Sequence, residues 1–81
     1  MKAQILLFAS LRDRAGQPSI EIEIPDGTTA AELRGHIEAQ VPALAGTLDQ
    51  VRIAIDQEFA TGEASIPIGA EIALIPPVSG G

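Results

Sequence analysis

The chain has 81 residues, of which 46% are hydrophobic, and carries a formal net charge of −6. This length predicts one domain, and the acidic charge argues against a nucleic-acid partner because the phosphates would be repelled. The absence of cysteine, tryptophan and tyrosine excludes disulfides, thiolate chemistry and a stacking platform for single strands. The sequence shows neither a signal peptide nor an apolar run of membrane-spanning length, so we expect a cytoplasmic protein with no membrane partner.

The first part of the chain predicts two strands joined by a polar connection. Residues 2–9 (KAQILLFA) form an apolar run of strand length, and residues 10–18 form a connection with room for a helical turn at 11–15. Residues 19–24 (SIEIEI) alternate strictly between polar side chains and isoleucine. Because successive strand residues point to opposite faces, this alternation is typical of a half-buried antiparallel strand.

A single amphipathic helix is predicted after a turn at residues 25–27. Thr29 and Glu32 have the spacing of a capping box, in which each side chain accepts a hydrogen bond from the backbone of the other. Pro42 ends the helix because proline has no backbone N–H to continue the hydrogen-bond pattern. The apolar residues recur at helical intervals and would form one buried stripe: Ala30, Leu33, Ile37 and Val41.

The second part of the chain predicts further strands around two connections. Residues 43–50 form a loop with two leucine anchors, and residues 51–56 (VRIAID) form a strand with its odd-numbered apolar residues facing inward. Residues 57–70 hold a turn and a short edge strand. Residues 71–75 form the final strand.

This order of elements predicts an α+β fold with a mixed sheet of four to five strands and one main helix packed on one face. The pattern resembles the β-grasp, or ubiquitin-like, architecture, in which the first and last strands run parallel at the centre of the sheet. Residues 1–78 would form this domain, and residues 79–81 would form a flexible C-terminal Gly-Gly tail.

The first and last strands are apolar on both faces, unlike the two alternating strands. In the first strand, Ile5 and Leu7 lie on one face and Leu6 and Phe8 lie on the other. Strands of this kind are normally covered on both faces, whereas one helix covers only one. The second face is therefore either an exposed docking surface or is covered by the loops at 43–50 or 57–70, unless these central strands are simply apolar without a docking role.

The sequence closes with Ser79, Gly80 and Gly81, which follow an apolar strand, the stiff pair Pro76-Pro77 and Val78. The two glycines have no Cβ atoms, so their backbone can enter a slot too narrow for side chains. The group that such a tail delivers is its carboxyl group, which must be activated, most simply by ATP, before a nucleophile can attack it. Because the chain has no P-loop or similar phosphate-binding motif, we predict a separate adenylating enzyme.

Three segments resemble the small subunits of molybdopterin synthases, within the ubiquitin-like sulfur carriers. They are Leu7-Phe8-Ala9 with Leu11-Arg12 after the first strand, Val51–Phe59 (VRIAIDQEF) and Ile72–Gly81 (IALIPPVSGG). The resemblance spans essentially the whole chain and is strongest in the last segment. One departure is Asp56, which stands where family members commonly have asparagine.

The resemblance implies a chemical role for the tail. Gly81 would be adenylated by an E1-like enzyme that uses ATP in trans, and then converted to a thiocarboxylate with sulfur from a donor protein. Gly80 and Gly81 would enter the large catalytic subunit of molybdopterin synthase, in a heterotetramer, and supply sulfur for the dithiolene of molybdopterin. The chain itself would be a non-catalytic subunit that binds no cofactor and no metal.

The resemblance also implies a docking surface, formed by Phe8, Phe59 and Ile75. We expect the segment between this surface and the two glycines to contact the partner as well: Pro76, Pro77, Val78 and Ser79.

Three other functions are consistent with the residues. The chain could carry sulfur for thiamine or another thiolated product, it could be a protein modifier conjugated through Gly81, or it could be a β-grasp binding module with an inert tail. Lys2 is the only lysine, which weighs against a modifier that forms chains on itself.

Overall fold

The computed structural model describes residues 1–77, which form a five-stranded mixed sheet with two α-helices. The elements are β1 (Lys2–Leu7), α1 (Ala9–Ala15), β2 (Ser19–Glu23), α2 (Ala30–Gln40), a 3₁₀ turn (Pro42–Leu44), β3 (Arg52–Ile55), β4 (Glu58–Phe59) and β5 (Ile72–Ile75). The strand order is β2-β1-β5-β3-β4, with β1 and β5 parallel and the other pairs antiparallel. The predicted α+β, β-grasp architecture is confirmed. In the described part of the chain, neither helix has the length and apolar character needed to cross a membrane.

Helix α2 covers one face of the sheet, as the sequence predicts. The Glu32 backbone N–H donates to Thr29 Oγ1 at 3.3 Å, and the Thr29 backbone N–H donates to Glu32 Oε1 at 3.0 Å. The hydrogen bonds from the Thr29 backbone, and then those of its side chain, lower the pKa of the Glu32 carboxyl because they stabilise its ionised form. The capping box thus fixes the start of α2, and Leu33 and Ile37 are fully buried in the core beneath it.

The connection after β1 contains a helix of seven residues rather than the single turn expected at 11–15. The strand ends at Leu7 instead of residue 9, because Phe8 occupies the N-cap position of α1 and Ala9 adopts a φ of 50° that turns the chain out of the sheet. Leu11 is buried and anchors α1 to the core. Gly16 ends the helix with a φ of 75°, a left-handed conformation that favours glycine.

The loop after α2 returns to the side of the sheet that the helix covers. Leu44 and Leu48 are buried in the same core as Leu33 and Ile37, so the two leucine anchors are confirmed. The Arg34 guanidinium donates a hydrogen bond to the Leu48 carbonyl and so ties this loop to α2.

The segment between β4 and β5 is attached to the start of α2. The backbone N–H of Ala30 donates to the Ala64 carbonyl at 2.9 Å, and that of Ala31 donates to the Gly62 carbonyl at 3.0 Å. Ile66 is buried in the core under the helix. Within residues 1–77, both long loops are therefore anchored on the helix side of the sheet, and the end of the second, Gly69-Ala70, reaches the edge of the opposite face beside Lys2 and Gln4.

Strand β3 differs in one detail from the expected inward and outward pattern. Ile53 is buried as predicted, whereas Ile55 is only half-buried because it ends the strand next to the β3–β4 hairpin. Ala54 is buried on the opposite face, between its cross-strand neighbours Ala73 and Phe59. A large ring beside a small side chain is enough to cover the small one.

Candidate functional site

Six side chains on the face opposite α2 form one apolar groove. They come from β1, β3, β4 and β5 and from the residue that follows β1: Leu6, Phe8, Ala54, Phe59, Ala73 and Ile75. The apolar groove has a volume of about 280 Å³. The structure therefore brings together Phe8, Phe59 and Ile75, the three docking residues expected from the sequence.

The apolar groove follows from the two-sided pattern of the central strands. In β5, Ile72 and Leu74 are fully buried on the helix side, whereas Ala73 and Ile75 point to the other face and are half-buried. Neither the loop after α2 nor residues 60–70 line the apolar groove, so within residues 1–77 no loop covers it. Of the two arrangements considered from the sequence, the structure has the open one.

Both aromatic side chains of the protein stand on this open face. The chain has two phenylalanines and no tryptophan or tyrosine, and Phe8 and Phe59 are 44% and 56% exposed. Aromatic side chains carry large apolar areas whose burial is favourable, and exposed apolar patches mark interaction sites. The core is built from aliphatic residues alone, while the aromatic residues are placed where a partner can bury them.

A cation borders the apolar groove at its Ile75 end. The Arg52 guanidinium lies 3.8 Å from the centre of the Phe59 ring, within the range of a cation–π interaction. Arg52 also pairs across the sheet with Ile75, the last residue of β5. Sequence reasoning missed this contact, although Arg52 and Ala54 alternate with buried Ile53 and so must share the open face.

The β3–β4 hairpin positions Phe59 beside the apolar groove. Its two connecting residues, Asp56 and Gln57, have φ values of 50° and 71°, as the two central residues of a type I′ turn require. The Asp56 backbone N–H donates to the Glu71 carbonyl at 2.8 Å, and the Glu71 N–H donates to Asp56 Oδ1 at 2.9 Å. Aspartate tolerates positive φ as asparagine does, so the departure at position 56 preserves the turn and ties it to the start of β5.

The root of the tail lies next to the apolar groove. β5 stops at Ile75, and Pro76 and Pro77 follow without an N–H to continue the sheet pairing. Because β5 is the middle strand, the chain leaves from the centre of the sheet. The remaining expected site residues are Val78, Ser79, Gly80 and Gly81. They lie outside the described residues, as does the expected domain boundary after residue 78, so their roles remain predictions.

The architecture and the open groove at the tail root define the class of the protein: a β-grasp domain of the ubiquitin-like kind. The crystal structure of SAMP1 from Haloferax volcanii is similar, with a TM-score of 0.86, 26% sequence identity and coverage of 100% of both chains.

Within that class, the chain belongs to the ThiS family, which it matches over residues 5–81. The molybdopterin synthase sulfur carrier subunit of Dictyostelium discoideum is 38% identical over 81 residues, covering 96% of this chain and 94% of that protein. The molybdopterin synthase sulfur carrier subunit of Homo sapiens is 35% identical over 83 residues, covering 99% of this chain and 94% of that protein. The family match includes every residue that lines the apolar groove and extends to Gly81.

Proposed function

We propose that this protein carries sulfur for molybdopterin synthesis, as the small subunit of a molybdopterin synthase. The observation that supports it most directly is the similarity, over nearly the whole chain, to sulfur carrier subunits of molybdopterin synthase. The open apolar groove beside the root of the tail supports it further, because a carrier must dock on a partner while it delivers its terminus.

The chemistry takes place on the carboxyl group of Gly81. A carboxylate is a poor electrophile, so one of its oxygens first attacks the α-phosphate of ATP, and pyrophosphate leaves. A sulfur nucleophile at the oxidation level of sulfide, supplied by a donor protein, then attacks the acyl carbon and AMP leaves, which yields a thiocarboxylate. In the catalytic subunit this sulfur bonds to the pterin precursor, and water hydrolyses the acyl–sulfur bond, so the sulfur stays in the dithiolene and Gly81 regains its carboxylate.

Other proteins supply the catalytic groups in this proposal. The chain has no cysteine, and within residues 1–77 no cluster of three or more histidine or acidic side chains is placed to hold a metal ion. An E1-like enzyme therefore performs the adenylation in trans, and the catalytic subunit performs the transfer. A cytoplasmic location is part of the proposal, because ATP and the pterin precursor must both reach the protein.

Docking and delivery use adjacent parts of the chain. Phe8, Phe59 and Ile75 pack against the partner, and the pair Pro76-Pro77 favours an extended backbone where the chain leaves the sheet. Six residues, the number from position 76 to position 81, can reach about 20 Å when fully extended at 3.3–3.6 Å per residue. This reach allows the carboxyl group to enter an active site while the body of the carrier stays outside.

The decisive experiment removes Gly81 and follows both half-reactions. Wild-type protein, incubated with the adenylating enzyme, ATP and a sulfur source, should gain one sulfur in place of one oxygen by intact-mass analysis. It should then form molybdopterin with the catalytic subunit. The variant lacking Gly81 should lose sulfur transfer while its stability changes by less than about 0.5 kcal/mol. Full transfer by this variant would overturn the proposal, and covalent adducts on denaturing gels of cell extract would favour a protein modifier instead.

A matched pair of glycine substitutions tests whether the tail enters a narrow channel in its partner proteins. Gly80→Ala should slow adenylation or transfer, because the added methyl group narrows the fit and restricts φ. Gly35→Ala is the control, since Gly35 lies in α2 and its added Cβ would meet no heavy atom within 4 Å. Transfer by Gly80→Ala at the wild-type rate would show that the tail does not thread a narrow channel.

A further inference from the structure

The apolar groove carries opposite charges at its two ends. Glu71, Ala73 and Ile75 follow one another along the open face, and Glu71 lines the groove at the start of β5. Arg52 stands at the other end, opposite Ile75 in the β3–β5 pairing. The two ends are about 13 Å apart along the strand, at about 3.3 Å per residue.

Within residues 1–77, Arg12, Arg14 and Arg52 are exposed and make no ion pair, but of these three only Arg52 stacks on an aromatic ring. The Lys2 ammonium pairs with Glu21 at 3.8 Å, and the Arg34 guanidinium donates to the Leu48 carbonyl. Within residues 1–77, Arg52 makes neither an ion pair nor a hydrogen bond through its side chain, and it is exposed. Its stacking on Phe59 restricts the guanidinium while leaving its N–H groups directed to the surroundings.

The opposite end of the groove is acidic. The Glu71 side chain is exposed and, within the described residues, makes no ion pair. Asp56 lies beside it, because its carboxylate accepts the Glu71 backbone N–H at 2.9 Å. Two carboxylates therefore stand where the chain enters β5, and one guanidinium stands where it leaves.

We propose that this charge polarity sets the orientation in which the carrier docks, an inference that rests on the proposed function. The catalytic subunit presents a carboxylate to Arg52 and a basic side chain to Glu71, across an apolar centre that fills the groove. Apolar contact alone is non-directional, whereas complementary charges fix the register of an interface and suppress wrong orientations. A partner turned end for end would place like charges together, and the tail that leaves after Ile75 would point away from its active site.

The test compares binding of charge variants of the full-length carrier to the recombinant catalytic subunit at low and high salt. Arg52→Gln should weaken binding by about two- to fivefold, and Arg52→Glu or Glu71→Lys by about tenfold or more. All three should reduce the salt dependence of the dissociation constant. Arg14→Glu, on α1, makes the same change in net charge as Arg52→Glu and should bind within about twofold of wild type, because Arg14 is exposed and does not line the groove.

The double variant Arg52→Glu/Glu71→Lys separates polarity from net charge. It restores the wild-type net charge but reverses the two ends, so it should bind at least as weakly as Arg52→Glu. Recovery of wild-type affinity in this variant would overturn the inference, as would Arg52→Glu and Glu71→Lys variants that bind like wild type. Thermal unfolding shows which variants are folded. If a charge-reversing variant does not fold, the neutral variant at the same position, Arg52→Gln or Glu71→Gln, is used instead. A wild-type carrier that fails to bind the catalytic subunit at all would instead contradict the proposed function.

Discussion

The two faces of the central sheet are built by the same strands but differ in what covers them. On the helix side, Ile5, Ile72 and Leu74 are fully buried beneath α2 and the two long loops. On the open side, Ala73 and Ile75 of the same β5 border a groove that the described chain leaves uncovered. β1 and β5 therefore carry apolar side chains that the fold itself does not bury.

These exposed apolar side chains occupy only one part of the open face. Near β2, that face carries Lys2, Gln4 and Glu21, as expected for a surface in water. Apolar side chains gather from the end of β1 across β5 to β3 and β4, beside the point where the tail begins. An apolar patch placed at the root of a tail is best explained by a partner that binds both.

The largest difference between the two faces should be in the free energy of unfolding, when an isoleucine is replaced by alanine on each side of β5. Ile72→Ala removes a fully buried side chain and should lower the free energy of unfolding by about 2–5 kcal/mol. Ile75→Ala, on the open face, should lower it by about 1 kcal/mol or less. Urea-induced unfolding of both variants measures the difference.

A milder substitution allows the same comparison if the Ile72→Ala variant does not fold. Ile72→Val should cost about 0.5–1.5 kcal/mol and leave the protein folded. Equal losses for Ile72→Ala and Ile75→Ala would mean that the open face contributes to the core as much as the covered one.

The next effect concerns binding rather than stability. Phe59→Ala should weaken binding to the catalytic subunit by about 30-fold, the effect of losing an interface residue worth about 2 kcal/mol. Its free energy of unfolding should change by only about 1 kcal/mol, because the ring is 56% exposed. Titration calorimetry and urea unfolding provide the two measurements, and Phe8→Ala should behave in the same way.

Leu11→Ala is the control from the covered side, since Leu11 is buried in α1. It should reduce stability while the affinity of the folded molecules stays unchanged. If Phe59→Ala instead lost about 3–5 kcal/mol of stability with unchanged affinity, the ring would belong to the core.

The sequence was sufficient to predict most of the fold, because local signals and the global pattern agree. The alternation in β2 and the capping box at Thr29 each depend on residues close together in the chain. Helix α1 was underestimated because its start, at Phe8 and Ala9, continues the apolar run of β1. Gly16 could have corrected this, since glycine after a helical segment is a common C-terminal signal.

The site was predictable only in part, because it depends on which strands are neighbours. Alternation along each strand pairs Phe8 with Leu6 and Ile75 with Ala73, but it does not decide which set of β5 shares the face of Phe8. The family resemblance implied Ile75, and the β1–β5 register places it there. The stacking of Arg52 on Phe59 requires the register of β3 and β4, which follows from the positive φ values at Asp56 and Gln57. Turn geometry of this kind is weakly encoded in an Asp-Gln pair, since type I′ turns favour Asn-Gly or Asp-Gly.

The smallest effect should appear in the pH dependence of the free energy of unfolding, because Glu32 in the N-terminal cap of α2 is ionisable. The Thr29 hydrogen bonds hold the pKa of Glu32 below its ordinary value of 4.5. Because the folded pKa is lowered, ionised Glu32 contributes stability that is fully present above that value and is lost as the pH falls through the folded pKa. Glu32→Gln keeps an oxygen that accepts the Thr29 N–H but cannot be protonated in this range. The free energy of unfolding of this variant should therefore fall less on acidification than that of wild type, whereas Glu63→Gln, the same change at an exposed site, should follow wild type. Identical profiles for wild type and Glu32→Gln would show that the charge of Glu32 does not stabilise α2, and an equal flattening by Glu63→Gln would assign the pH dependence to net charge.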